Sequence, residues 1–113
     1  MERRKHIRYS GDVLLEAVHI ASGARLGRVV DLSVGGTMLF CPTLPVEESV
    51  WVCQLVPASP GTPTEAVSLT LDCLWTRPAS DGIGGWAGFQ IVDADDSQRI
   101  ALARLIERLP TPI

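Results

Sequence analysis

The sequence predicts a mainly β protein: a six-stranded antiparallel β-barrel with one C-terminal α-helix. Three observations carry that expectation. Apolar segments of strand length recur between Gly- and Pro-bearing turns. The stretch from Val67 to Thr76 alternates apolar and polar with period two. From Asp95 onward the spacing becomes helical. About six strands and one amphipathic helix fit a small barrel, with the helix over an open side or mouth.

Met1 to Gly11 is polar, charged and aperiodic, and reads as a flexible arm ahead of a barrel domain spanning residues 12–113. Val13 to Ala21 is the first strand; Ser22, Gly23 and Ala24 form a hairpin turn, and Leu26 to Asp31 is the return strand. A third strand, Thr37 to Cys41, is entered through Gly35 and Gly36. Pro42 to Glu48 is a loop, followed by an almost continuously apolar strand from Val50 to Val56. Pro57 to Thr64 lacks the backbone donors a ladder needs and reads as a surface loop. In the next strand Val67, Leu69, Leu71, Cys73 and Trp75 share one face, opposite Ser68, Thr70, Asp72 and Thr76. Asp81 to Gly85 turns the chain into a last strand, where Ala87, Phe89 and Ile91 share a face. Asp95 and Gln98 make a capping-box-like pair for a helix over about 95–109, along which Leu102, Leu105, Ile106 and Leu109 recur before Pro110.

Composition narrows the function. A 113-residue chain that is 46% hydrophobic can bury a core without metal or disulfide staples. Its formal net charge of -3 argues against a general nucleic-acid binder, so no DNA partner is expected. Cys41, Cys53 and Cys73 are too widely spaced for a CxxC metal pattern, and an odd count gives no disulfide framework. Cys53 and Cys73 read as buried thiols, and Trp51 and Trp86 as packing residues. His19 has no second ligand at metal spacing. No apolar run reaches the ~20 residues that span a bilayer, and no signal-like segment follows the basic start, so the expected compartment is the cytoplasm.

Two short motifs hold the candidate site. Arg4-Lys5-His6-Ile7-Arg8 is an RxxxR pattern with Arg3 directly before it. Asp31-Leu32-Ser33-Val34-Gly35-Gly36 fits DxSxxG at the junction of two predicted strands. Either alone is ordinary: a basic arm, or an Asx or Ser turn. Together, in this order on a β-rich body with Trp75, the Gly88-Phe89 pair and a trailing helix, they resemble the PilZ domain family. That resemblance implies a receptor for the second messenger cyclic di-GMP, with Arg4, Arg8, Asp31, Ser33 and Gly36 as ligand contacts. Arg3, just before the motif, implies two intercalated ligand molecules rather than one. Trp75 and Arg77 resemble positions that some PilZ members use; Trp75 either stacks on guanine or plugs the barrel's mouth. Gly35 reads as a turn residue before a contact.

The side-chain chemistry agrees. A guanidinium meets a phosphate, or the O6/N7 edge of guanine, in a two-pronged way that lysine cannot. A carboxylate at Asp31 accepts from the N–H groups on guanine's other edge, and Ser33 donates to a phosphate oxygen. Gly36 permits positive φ and close approach of a ligand.

No Ser–His–acid set, paired carboxylates or GxxxxGK loop is present, so an enzyme, a cofactor or a metal is not expected. With no room for an output module, the signal is expected to pass to an effector protein, as where PilZ proteins regulate motility or exopolysaccharide. Two alternatives remain open: a nucleotide-independent PilZ-like interaction module, and a small barrel that binds single-stranded nucleic acid.

Overall fold

The computed structural model describes residues 7–8, 15–57 and 66–108. Within them the chain runs β1 (Ile7–Arg8), β2 (Leu15–His19), β3 (Arg25–Leu32), β4 (Gly36–Cys41), β5 (Val50–Pro57), β6 (Val67–Pro78), β7 (Gly85–Val92) and α1 (Asp96–Arg108). Each strand is antiparallel to its neighbours, in the order β1-β3-β2-β5-β6-β7-β4, and β4 pairs back onto β3. That last pairing closes β2 to β7 into the six-stranded barrel, and closure removes the exposed edges of an open sheet.

The short β1 is an addition to the barrel. Its Ile7 and Arg8, within the stretch read as an arm, pair with Leu32 and Asp31. Those two residues meet β4 on their other edge, whereas Arg28, earlier in β3, lies between β2 and β4. Thus β1 takes up the edge of β3 beyond the reach of β2. Arg3, Arg4, Val13, the loop after Pro57 as far as Thr64, and Leu109 with Pro110 lie outside the described residues.

Alternation works as expected along most strands. Leu15 and Ala17, Leu39 and Cys41, Cys53 and Leu55, and Val67, Leu69, Leu71 and Cys73 point into the barrel and are buried. Leu102 and Leu105 of α1 join this core, each worth about 1.5–3 kcal/mol when fully buried. The helix starts as predicted: the Gln98 amide donates to Asp95 Oδ1 at 2.8 Å and the Asp95 amide to Gln98 Oε1 at 3.0 Å. The Gln98 side-chain amide also donates to the Ser68 carbonyl at 2.8 Å, which fixes α1 against β6.

The register shifts at three places: one lies between β2 and β3, where Ala17↔Gly27 is followed by Val18↔Arg25, and the other two are β-bulges that bear on the candidate residues. On β3 the register steps from Val29↔Leu39 to Asp31↔Met38, leaving Val30 as the extra residue. On β6 it steps from Cys73↔Phe89 to Trp75↔Gly88, leaving Leu74 extra. One added residue reverses which face every later side chain takes. The expected grouping of Trp75 with Val67 through Cys73 is therefore corrected: Trp75 is outside the barrel and 38% exposed. A plug in the barrel's mouth is excluded with it.

Candidate functional site

The two bulges act on one outer face. Without the extra Val30, Asp31 would follow Val29 into the core; with it, Asp31 lines up with the outward Met38. Without the extra Leu74, Trp75 would follow Cys73 inward; with it, Trp75 lines up with Gly88, which also faces out. Met38 and Gly88 are themselves partners. A single cross-strand row therefore runs Arg8–Asp31–Met38–Gly88–Trp75 over β1, β3, β4, β7 and β6. Directly opposed residues in antiparallel strands lie on the same face, with Cβ atoms about 4.5–5.5 Å apart. Three candidate positions from distant parts of the chain thus lie along one row, Arg8 and Asp31 at one end and Trp75 at the other, with Arg77 two residues along β6.

Gly88 explains how the row packs. A Cβ there would overlap the Trp75 indole nitrogen, so the indole lies directly over the bare glycine backbone. The Arg77 guanidinium sits over the Trp75 ring, 5.9 Å from its centroid. Met38, Trp75, Arg77 and Trp86 surround a pocket of about 260 Å³.

Asp31 and Ser33 frame the other end. Asp31 is only 8% exposed, and its carbonyl accepts from Thr37 Oγ1 at 2.6 Å. The Ser33 amide donates to the Gly36 carbonyl at 2.9 Å and closes the β3–β4 turn. Ser33 Oγ accepts from the Gly35 and Gly36 amides at 3.3 and 3.2 Å and lies 3.3 Å from the Gly36 carbonyl. The DxSxxG motif is thus a self-bonded serine turn that orients Asp31 relative to Gly36.

The two glycines differ from expectation at one point. Neither Gly35 nor Gly36 has positive φ; Gly23, Gly82 and Gly84 do. Gly36 is required for another reason: a Cβ there would fall 2.6 Å from the Phe89 carbonyl oxygen in the β4–β7 ladder. Gly35 has open space around its Cα, and its carbonyl accepts from the Ile91 amide at 2.9 Å, which fits a turn residue.

Trp86, expected to pack, is half-buried on the outer face, where it meets the Phe40 ring edge to face and also lines the pocket with Trp75. Sequence alternation within β7 carried that signal, since Ala87 and Phe89 point inward and leave Trp86 on the opposite side. Trp51 does pack against the core, and its indole N–H donates to Ser49 Oγ at 2.8 Å. His19 bonds Ser22 Oγ through Nδ1 at 2.9 Å and meets the Trp51 ring edge-on.

The three cysteines are free and fully buried. Burial pushes the Cys41 thiol up to about 11, with a smaller contribution from Cys73 and Cys53, and pushes Cys53 up to about 11 as well. Cys73 is raised too, first by burial and then by Glu47. Such thiols stay neutral and unreactive. Among the described residues no group of three His, Cys, Asp or Glu is placed to hold a metal, and no helix is long and apolar enough to cross a membrane. A larger cleft of about 450 Å³ opens between His19, Leu26, Leu44 and Trp51, but it contains none of the candidate residues.

Comparison with known proteins places this geometry in a family. The PilZ domain matches residues 2–108. No curated protein matches the chain. Among solved structures, the PilZ domain of YcgR from Escherichia coli, with c-di-GMP, superposes with a TM-score of 0.65 at 15% identity, covering 96% of this chain and 92% of that one. MotI/DgrA, an inhibitor of motility from Bacillus subtilis, gives 0.61 at 12% identity over 96% of this chain and 51% of that one. Apo MrkH of K. pneumonia gives 0.65 at 13% identity over 96% and 53%. The chain therefore spans about half the length of those last two proteins, and at these identities the likeness is one of fold. With the family match running over nearly all of its length, the chain belongs to the PilZ domain family.

Proposed function

We propose that this PilZ domain is a receptor for cyclic di-GMP, held on the outer face of the barrel between the arginines of the N-terminal segment and the Asp31–Gly36 turn. The observation that carries this reading is the register of Arg8 against Asp31, which sets a cationic position directly beside a carboxylate and one turn from Ser33. The ligand needs both kinds of partner. Its phosphates and the guanine O6/N7 edges take guanidinium forks, and the guanine N–H edge takes a carboxylate. Asp31 supplies the acceptor, Arg8 with Arg4 and Arg3 supplies the donors, and Trp75 with Arg77 offers a stacking surface and a further cation at the far end of the row. Ser33 holds the turn, and its hydroxyl lies close enough to the exposed Gly35 to reach a phosphate oxygen. Gly36 lets β4 lie close on β7 and so fixes the turn beside the ligand.

Ile7 and Arg8 are already paired with β3; binding fixes the rest of the Met1 to Ser10 segment over the ligand and so changes the surface offered to an effector protein. Fixing backbone costs about 1–2 kcal/mol per residue. Charge-assisted hydrogen bonds at about 1.5–3 kcal/mol each must offset that cost. Several of them are needed, which is why the arm carries three arginines. Arg3 beside Arg4 favours a second ligand molecule intercalated with the first. The domain acts by binding and does no chemistry on the nucleotide.

Calorimetric titration of the full chain with cyclic di-GMP, beside GTP and cyclic di-AMP, tests this. Micromolar or tighter binding of cyclic di-GMP alone, with a stoichiometry of one or two, is the expected result. No heat at saturating ligand would leave an interaction module without a nucleotide, and salt-sensitive binding of an oligonucleotide in its place would make the barrel a single-strand binder.

A further inference from the structure

Beside the Asp31 row lies a second one, shifted by two residues on β4, β7 and β6, or about 6.6–6.8 Å along each strand. It runs Glu16–Arg28–Phe40–Trp86–Arg77 over β2, β3, β4, β7 and β6. The pattern across its last four members is cation, aromatic, aromatic, cation. We propose that the ligand site extends onto this row and that Arg28 contacts the second purine–phosphate half of the bound cyclic dinucleotide; the proposal rests on the reading of the chain as a cyclic di-GMP receptor.

The side chains are already arranged for that contact. The Arg28 guanidinium lies over the Phe40 ring, 5.9 Å from its centroid, and Arg77 lies over Trp75 at the same distance. Phe40 and Trp86 meet edge to face, with centroids 5.3 Å apart and planes at 76°. A guanidinium held over a ring keeps its N–H fork free at the edge, where a phosphate or a guanine O6/N7 edge can be met in two-pronged fashion. Stacking also limits the rotamer freedom the side chain must surrender on binding.

The neighbouring charges leave Arg28 available. Glu16 is its row partner on β2, yet the Glu16 carboxylate is bridged by Arg25 Nε at 2.6 Å. The pocket bounded by Met38, Trp75, Arg77 and Trp86 joins the two rows, and its 260 Å³ or so is below the usual 300–1,000 Å³ of a complete ligand site. It suits one part of a larger ligand. A cyclic dinucleotide repeats each purine and each phosphate, so a first set of donors around Asp31 leaves a second base and phosphate to be met. Arg28 and Arg77 flank the Phe40–Trp86 pair where that half would lie.

The test compares Arg28→Gln, Arg28→Lys and Arg104→Gln in cyclic di-GMP titrations of the full chain, with thermal unfolding as the control for folding. Arg104 is exposed on α1 and removes the same charge away from the row. Arg28→Gln is expected to weaken binding about tenfold and Arg28→Lys to recover little of it, while Arg104→Gln stays within twofold of the parent. Equal small effects of Arg28→Gln and Arg104→Gln, with the parent binding, would overturn the Arg28 contact and leave the receptor reading standing. Full affinity in Arg28→Lys would overturn the two-pronged contact. A parent that binds no cyclic di-GMP would defeat the receptor reading and this extension together.

Discussion

Arg8 of β1 stands directly across from Asp31 of β3, although 23 positions separate them in the chain (31 − 8). Opposed positions in an antiparallel pair share a face, so the backbone register puts position 8 beside position 31 on one face. The Val30 bulge is what sets the face of that pairing. It turns Asp31 out of the core phase set by Val29 and into the outer row with Met38. Bulges beside functional sites commonly re-aim a side chain in this way.

The Leu74 bulge does the same for Trp75, and Gly88 is the seat that receives the indole. Gly88→Ala is expected to push the indole off the β7 backbone. Overpacking of this kind typically costs about 1–3 kcal/mol. Urea unfolding should show a loss in that range, and cyclic di-GMP should bind at least several-fold more weakly. A variant as stable as its parent would mean that the indole does not rest on Gly88.

Gly36→Ala tests the turn. The new Cβ would press on the Phe89 carbonyl oxygen and force apart the β4–β7 ladder next to Asp31. Lower thermal stability and weaker ligand binding are expected together, because one displacement causes both. Gly35→Ala, with open space at its Cα, is the matched control and should change stability little.

The buried thiols predict a pH dependence. Cys41 and Cys53 are raised to about 11 in the folded chain from an ordinary value of 9.0. A group whose folded pKa is raised stabilises fully below its unfolded pKa and ceases to do so as pH passes through the folded one. Stability should therefore be level below about pH 9 and fall between about pH 9 and 11, by up to about 1.4 kcal/mol per pH unit for each thiol. Urea unfolding at a series of pH values checks this. A flat profile to pH 11 would show that the thiols are not held neutral.

Much of the barrel was legible in the sequence because one-sided burial writes itself as alternation. Val67 to Cys73 and Ala87 to Phe89 needed nothing more, and the Asp95–Gln98 cap marked the helix start. The turn of the candidate site was legible through local chemistry: Ser33 closes its own loop, so DxSxxG is readable as a turn without knowing the fold. Two things were not. Trp75 continues the alternation of its strand, and no residue type at Leu74 announces the bulge, which is fixed by pairing with β7. The Arg28–Phe40–Trp86–Arg77 row depends on the register of four strands that are not all consecutive; of its members only Arg77 reads singly as a candidate contact, and Trp86 reads as a packing residue.

The account depends most on a ligand gripped between the N-terminal arginines and Asp31. Calorimetry with cyclic di-GMP on the parent, Arg8→Ala and Asp31→Asn tests it most directly, with unfolding temperatures as the check on folding. Each substitution should weaken binding tenfold or more while the barrel unfolds at a temperature close to the parent's. Parent-like affinity in both variants would contradict the account.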